Sequence, residues 1–338
     1  MLSRNNELRP LRVLMVTSEY PGPGYPGGGA FVVRQIKALR KAGVEVDVLD
    51  FISRANPLNH FRAWMRLRRM MNDRAYDLIH AQFAISALIS RMQLKLPIVV
   101  TYHGDEMYGI IRPDGTRSLK GRVLVLFSQM MSFMVNEIIV VSHDMGRRML
   151  RKDYHIVPSG IELEKFKPMP RDEARGLLGW PVDGLIVLFA VLRTDEPRKR
   201  YGLARAAVDL AARNLPVEMR LATQIQPDEM PVYMNASDAL LLTSLHEGSP
   251  TVVKEALACN LPVVTVNVGD VTERLTGVSP SVVVEATPEA IARGLEDVLR
   301  AGSRSNGRET VLGLSEDVLA QTVIEIYQMA LGNPAHPA

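Results

Sequence analysis

The chain has 338 residues, 47% of them apolar, and 40 Lys and Arg against 37 Asp and Glu, a net charge of +3. That is enough to bury a large core in two domains, while a single cysteine, Cys259, excludes an intramolecular disulfide and a Cys-x-x-Cys zinc site and reads as a buried structural thiol. No apolar run is long enough to span a membrane and the first residues lack an apolar signal segment, so the expectation is a cytoplasmic protein.

Arg12 to Thr17 reads as an apolar strand, followed by PGPGYPGGG (21–29) and a helical stretch from Phe31 to Lys41 that stops at Gly43. The loop holds a literal GxGxxG at Gly22, Gly24 and Gly27, and Asp50 closes the next strand, Val44 to Phe51, as in a dinucleotide fingerprint. Its three prolines lack the N–H groups that such a turn aims at a pyrophosphate, so an NAD-dependent oxidoreductase is the alternative and not the first reading.

HFRAWMRLRRMM (60–71) is helical, with Arg62, Arg66 and Arg69 on one face and Phe61, Trp64, Met65 and Met71 towards the other. Residues 1–157 carry 23 Lys and Arg against 13 Asp and Glu, and the remainder 17 against 24. The basic half favours an anionic partner. Nucleic acid ranks last, because no nucleic-acid motif accompanies the charge, so an anionic membrane surface met through 60–71 is the partner candidate. Each cation near such a surface contributes on the order of 1 kcal/mol. An ordinary surface helix packed on the core is the other reading of 60–71.

Leu78 to His80, Ile98 to Tyr102 and Glu137 to Val141 are further short strands, and strands alternating with helices make a parallel sheet covered on both faces. VLVLFSQMMSFMV (123–135) is uncharged but too short to cross a bilayer and reads as a buried helix, with monotopic insertion as the lesser alternative; Ser142 caps the next helix. HIVPSGIELEKFKPMPRD (155–172) gathers Pro and Gly into an interdomain hinge, where Gly160 supplies backbone freedom. The alternation restarts with a strand at Leu185 to Leu192, a helix from about Arg200 to Arg213 and a strand at Val217 to Ala222.

The stretch from Asp238 to Asp270 is the most informative. A strand (Ala239 to Thr243) leads to a loop with Glu247 and Gly248; Ser249 as N-cap and Pro250 then open a helix carrying Glu255, and a strand (Pro262 to Val266) follows. The free N–H groups of Thr251 and Val252 suit a phosphate, and two nearby carboxylates suit sugar hydroxyls. Phosphate plus polyol suggests a nucleotide-sugar. A helix at about 316–330 completes the pattern.

This segment closely resembles the donor-binding signature of the family-4 retaining glycosyltransferases, in which two glutamates, here Glu247 and Glu255, are separated by seven residues. The likeness extends from Val13 to Val268 and is greatest to teichuronic-acid and other cell-envelope polysaccharide enzymes. It implies the GT-B fold: α/β, with two doubly wound Rossmann-like domains facing a cleft. Residues 1–157 would form the acceptor-side domain, with the helix at 316–330 packing back onto it, and 158–315 the donor-binding domain. In VLRTDEPRKRYGL (191–203), Arg193 and Lys199 resemble the family's pair on the donor diphosphate. His103 in TYHGDEMYG (101–109) matches the histidine facing the donor sugar, and Gly28 and Gly29 the glycine-rich loop near the donor phosphates.

The resemblance therefore implies a catalytic set of His103, Arg193, Lys199 and Glu247, and a donor-binding set of Gly28, Gly29, Gly248, Ser249, Thr251, Val252 and Glu255. It implies transfer from a UDP-sugar or GDP-sugar to a hydroxyl of a lipid-linked or polysaccharide acceptor, with retention; the expected location is the cytoplasm, with a peripheral place on the inner face of the membrane as the option that the basic half adds. No DxD motif is evident, so no metal and no cofactor beyond the donor is expected. LATQIQPDEM (221–230) lacks the glycine-rich turn that many relatives place near the base, which leaves UDP and GDP both open. A non-catalytic nucleotide-sugar sensor or membrane scaffold, and a sugar-nucleotide epimerase, are further alternatives.

Overall fold

The computed structural model describes residues 9–21, 29–52, 58–112 and 114–332. Its first sheet is built from β1 (Arg12–Thr17), β2 (Glu45–Asp50), β3 (Leu78–Gln82), β4 (Ile98–Tyr102), β5 (Glu137–Val140) and β6 (His155–Ile156), in the order β2-β1-β3-β4-β5-β6. Every pairing is parallel. The connections carry α1 (Ala30–Lys41), α2 (Leu58–Asp73), α3 (Ala84–Arg91), α4 (Asp105–Tyr108), α5 (Leu119–Ser132) and α6 (His143–Arg148). Side chains alternate across a strand, so both layers of a covered sheet need apolar residues. In β1, Leu14 and Val16 face the layer of α2, α3 and α5, while Val13 and Met15 face α1 and the last helix.

The second sheet consists of β7 (Leu185–Ala190), β8 (Val217–Ala222), β9 (Ala239–Leu242), β10 (Val263–Val266) and β11 (Val282–Val284), also all parallel, in the order β11-β10-β9-β7-β8. Its helices are α7 (Arg171–Leu178), α8 (Tyr201–Ala211), α9 (Met230–Ala236), α10 (Thr251–Ala258), α11 (Val271–Arg274), α12 (Pro288–Ala301) and α13 (Arg308–Val311). Finally α14 (Glu316–Ala330) returns to the first sheet, burying Ala320, Val323, Ile326 and Tyr327 against its β1, β3, β4 and β5 core. This is the expected α/β architecture of two doubly wound layers. In both sheets the strand order reverses beside the first strand, between β1 and β3 and between β7 and β9, and a doubly wound sheet binds ligands at the carboxyl ends of its strands at that reversal.

The chain crosses between the two bodies twice, side by side. Ile161 N donates to Leu314 O at 2.9 Å and Glu316 N to Ile161 O at 3.3 Å. Gly160 departs from the sequence reading: it has no left-handed φ, and the absence of a side chain instead admits the returning strand, since a Cβ there would lie 3.0 Å from Glu316 Cα.

Two helices also turn differently from expectation. In α2 the core-facing residues are Ala63 and Leu67 with Trp64, Met70 and Met71 beside them; Phe61 and Met65 are exposed on the same side as the arginines. In α5, expected as a buried apolar helix, the apolar side chains Leu119, Val123, Leu126 and Met130 are exposed, and the buried positions are Gly121, Ser128, Gln129, Met131 and Ser132. Cys259 is fully buried at the end of α10, and burial pushes its thiol up to about 12. No helix among the described residues is long and apolar enough to cross a membrane.

Candidate active site

The loops after β7 and β9 meet at the strand-order reversal. A 3₁₀ turn, Pro197–Lys199, follows the loop leaving β7, and Arg200 closes it at φ 52°. This turn is stitched to the segment after β9: Thr243 Oγ1 donates to Lys199 O at 2.8 Å, Leu245 N to Arg198 O at 2.8 Å, and Arg200 Nη2 to Ser244 O at 3.0 Å. The stitching brings cations to Glu247, whose carboxylate accepts from Lys199 Nζ at 2.7 Å and Arg198 Nη1 at 2.8 Å. Burial alone would raise the Glu247 carboxyl, but the Lys199 and Arg198 charges outweigh it and hold the group below the usual carboxylate range. Arg193 lies outside this cluster. It is 74% exposed and forks onto Asp195, at 2.9 and 2.6 Å.

Gly248 is where the second body touches the first. A Cβ there would stand 2.0 Å from His103 O and 2.9 Å from Val141 Cγ2, so only glycine lets the two backbones pass. Beneath it, Gly269 (φ 57°) brings the loop after β10 against the Glu247 and Gly248 carbonyls. Ser249 does not cap α10, contrary to the sequence reading; Pro250 holds that position and offers no side-chain bond. Ser249 Oγ instead donates to Asp270 Oδ2 at 2.8 Å and accepts from Lys254 Nζ at 3.0 Å. The reason is the wholly buried Lys254, which needs oxygen acceptors and takes a second one, Ser159 O, at 2.8 Å in the hinge. Burial lowers Lys254 to about 8. Thr251 and Val252 open α10, so their N–H groups have no partner within the helix.

Glu255 turns from the 3₁₀ turn towards the first body. Its carboxylate meets Arg34 Nη1 of α1 at 3.5 Å, and Arg34 Nε lies 3.3 Å from Glu316 at the start of α14. Burial raises Glu255, with Arg34 and Lys254 opposing; Glu316 is raised to about 6 by burial and the nearby Glu162 charge, against Arg34 and Lys37.

His103 follows β4 and faces the same junction. Its ring packs on Phe31 at 4.4 Å and Phe83 at 4.8 Å between centroids, and its Nε2 lies 2.7 Å from Gln82 Oε1. Gln82 Nε2 donates to Gln35 Oε1 at 2.8 Å, which leaves its oxygen as acceptor and assigns the proton to His103 Nε2. Burial, with a smaller contribution from His80, lowers His103 to about 3, so the imidazole is neutral. Phe83 adopts φ 76° and ψ 155°, a region that costs a bulky residue on the order of 1–3 kcal/mol and that here seats its ring on His103. A cavity of about 40 Å³ lined by Phe31, Arg34, His103, Val141, Ser159 and Glu316 lies in the first body, between α1, the strand ends, the hinge and α14. A larger opening of about 410 Å³, lined in part by Arg117, Asp144, Arg147, Arg148 and His246, runs between the two bodies.

Gly29 begins α1 at φ 63°, and a Cβ there would stand 2.2 Å from Glu19 O. Gly28, and the Gly22, Gly24 and Gly27 of the dinucleotide reading, lie outside the described residues. Asp50, the other half of that reading, accepts from Arg66 through both its backbone oxygen, at 2.7 Å, and its carboxylate, at 3.2 Å. In the segment 221–230, Gln224 takes a left-handed φ of 54°.

The structure thus assembles Lys199, Glu247, Gly248, Ser249 and the start of α10 with His103, and leaves Arg193 apart. The sequence reading passed over Arg198, Arg34, Gln82, Phe83 and Lys254. Lys254 alone carried a local signal, a lysine amid the apolar run of α10; Arg34, Gln82 and Phe83 become neighbours of the site only through the fold.

Residues 25–165 match the sequence profile of Glycosyltransferase Family 4, and residues 205–309 that of Glycosyl transferases group 1. The chain is 26% identical to the putative teichuronic acid biosynthesis glycosyltransferase TuaC of Bacillus subtilis, over 77% of this chain and 82% of that one. It is 26% identical to the D-inositol 3-phosphate glycosyltransferase of Saccharomonospora viridis, over 76% and 70%. Among solved structures, the sucrose-phosphate synthase of Thermosynechococcus elongatus superposes with a TM-score of 0.78 at 20% identity, covering 95% of this chain and 99% of that one. HepE of Anabaena, solved in complex with UDP and glucose, gives 0.71 at 16% identity, over 94% and 100%.

Proposed function

Because the chain belongs to the family-4 glycosyltransferases and has their GT-B architecture, we propose that it transfers a sugar from a nucleoside-diphosphate donor to a hydroxyl of a lipid-linked or polysaccharide acceptor, with retention at the anomeric carbon. The observation that carries this reading is the Lys199–Glu247–Arg198 cluster at the β7/β9 reversal, beside the N-terminus of α10. Breaking the bond between sugar and diphosphate leaves negative charge on the diphosphate. A positioned ammonium and the first N–H groups of a helix stabilise that charge.

In this reading Lys199 takes the departing diphosphate, with Thr251 and Val252 donating from α10. Arg193 joins only by leaving Asp195, and Arg198 keeps Glu247 ionised to accept from donor-sugar hydroxyls. Glu255 accepts from the ribose once Arg34 releases it. His103, neutral throughout the ordinary pH range, supports the reacting centre by hydrogen bonding and not by donating a net charge. The donor half of the proposal is supported by the UDP and glucose complex of the Anabaena neighbour. The lipid-linked acceptor is supported by the arginine-lined opening, whose charge suits a phosphate-bearing carrier.

Thermal-shift titration with UDP, GDP and NAD, without added metal, tests the reading. A ligand that binds the folded state raises the unfolding midpoint as RT ln(1 + [L]/Kd). One nucleoside diphosphate should stabilise the wild type and fail to stabilise Lys199→Ala and Glu255→Ala, while Arg205→Ala, on an exposed face of α8, responds like the wild type. Turnover measured as diphosphate release should fall about 100-fold or more in Lys199→Ala. Stabilisation by NAD alone would sink the proposal.

A further inference from the structure

Helix α5 is built inside out. Its buried face is small and polar, and each polar group there is satisfied: Gln129 donates to Arg148 O at 2.9 Å and accepts from Leu150 N at 2.9 Å, Ser128 Oγ donates to Leu124 O, and Ser132 Oγ to Gln129 O. Gly121 presses on the Ile110 backbone, where a Cβ would stand 2.3 Å away. The apolar residues point the other way. Leu119, Val123, Leu126, Met130 and Phe133 follow one another at steps of four and three, which is one stripe along a helix, and each is 59–69% exposed.

The stripe does not stand alone. At its carboxyl end Phe133 and Met134 share an open groove of about 560 Å³ with Leu94, Arg91 and Lys95, beyond the end of α3, and Leu94 is 79% exposed. Contiguous apolar surface on this scale marks an interaction site. Its charge says which kind. Residues 84–97 and 118–136 contain Arg91, Lys95, Lys120 and Arg122 and no Asp or Glu. Two copies of this face, in either orientation, would bring those cations together with no carboxylate to pair them. An anionic bilayer accepts the apolar stripe below its headgroups and the cations among them.

We infer that α5, with the residues following α3, seats the first body on an anionic membrane surface, Leu119, Val123, Leu126, Met130 and Phe133 entering the interface. The docking face is therefore α5 and not α2, whose exposed Leu58, Phe61 and Met65 make a run of three side chains against the five of the α5 stripe. The inference is independent of the donor reading, since it needs no nucleotide.

Flotation of the purified full chain with vesicles tests it, comparing equal parts phosphatidylcholine and phosphatidylglycerol with phosphatidylcholine alone. The wild type should bind the mixed vesicles, and Leu126→Glu/Met130→Glu should lose about tenfold or more of that binding with its unfolding midpoint retained. Met65→Glu on α2 should bind like the wild type. Because Cys259 is buried, Met130→Cys offers one reactive thiol for an environment-sensitive dye, whose emission should shift to the blue on the mixed vesicles. No wild-type binding, equal binding by the α5 double variant, or an unshifted dye would each overturn the inference. So would light scattering that finds a dimer which the double variant converts to a monomer, since a second copy would then cover the stripe.

Discussion

Gly248 shows how little room a residue at the junction has. An alanine Cβ would sit 2.0 Å from a backbone oxygen of the other body, and backbone cannot swing aside as a side chain does. Gly248→Ala should therefore lower stability by about 1–3 kcal/mol in urea unfolding, and should weaken nucleoside-diphosphate stabilisation as the bodies are wedged apart. An unchanged midpoint would mean that the two backbones are not in contact in solution. Residues of this kind were partly legible. Glu247 and Glu255 stand at a fixed spacing across one loop and one helix turn, a local pattern. Their partners were not legible, because Arg198 reaches Glu247 from 49 positions away and Arg34 reaches Glu255 from 221 positions away. Arg193 is the converse case. Its likeness to a family pair was visible, while its pairing with Asp195 two residues on was a local alternative that the sequence reading did not weigh.

At the scale of elements, α5 reverses the usual mutational rule. Truncating Gln129 to Ala leaves Arg148 O and Leu150 N without their partner in a buried place, at a cost of about 1–3 kcal/mol. Leu126→Ala, on the exposed stripe, should stay within about 0.5 kcal/mol of the wild type. Urea unfolding of the two variants decides it, and the opposite ranking would mean that α5 is turned the other way. The sequence pattern identified this segment as helical but not its rotation. Apolar residues at steps of four and three announce a buried stripe by default, and only the polar pocket offered by Tyr102 OH, Arg148 O and the Ile110 backbone reverses the choice. By contrast α12 was legible and overlooked: Thr287 caps it through Ala290 N, Pro288 opens it and Gly302 ends it in the left-handed conformation. The neighbouring β11 is three residues long and half-buried, too short for any periodic signal.

Across the whole molecule, most strands of both bodies could be read because central parallel strands covered on two faces are largely apolar, while the short edge strands β6 and β11 could not. How the bodies meet could not, since that depends on the group of Arg34, Glu255 and Glu316 drawn from α1, α10 and α14. Glu316 is held at about 6, above the ordinary 4.5, so the folded state binds its proton more tightly than the unfolded chain. Stability from this group is full below about 4.5 and is lost as pH rises through about 6. Arg34→Met removes the cation that moderates the loss, leaving two largely buried carboxylates unpaired. The variant should be destabilised by about 2 kcal/mol at pH 7.5 and by clearly less at pH 5, measured by urea unfolding. An equal loss at both values would show that Arg34 acts through packing and not charge.

The return of α14 also orders events during synthesis. Ala320, Val323, Ile326 and Tyr327 complete the layer that Val13, Met15 and Val99 present on one side of the first sheet. A ribosome delivers those strands first and that helix only after all of the second body. The second body, from β7 to α13, can close on its own strands as soon as it emerges. The first body has to wait with that apolar face covered by α1 alone, so the half of the protein made first is the half that finishes folding last.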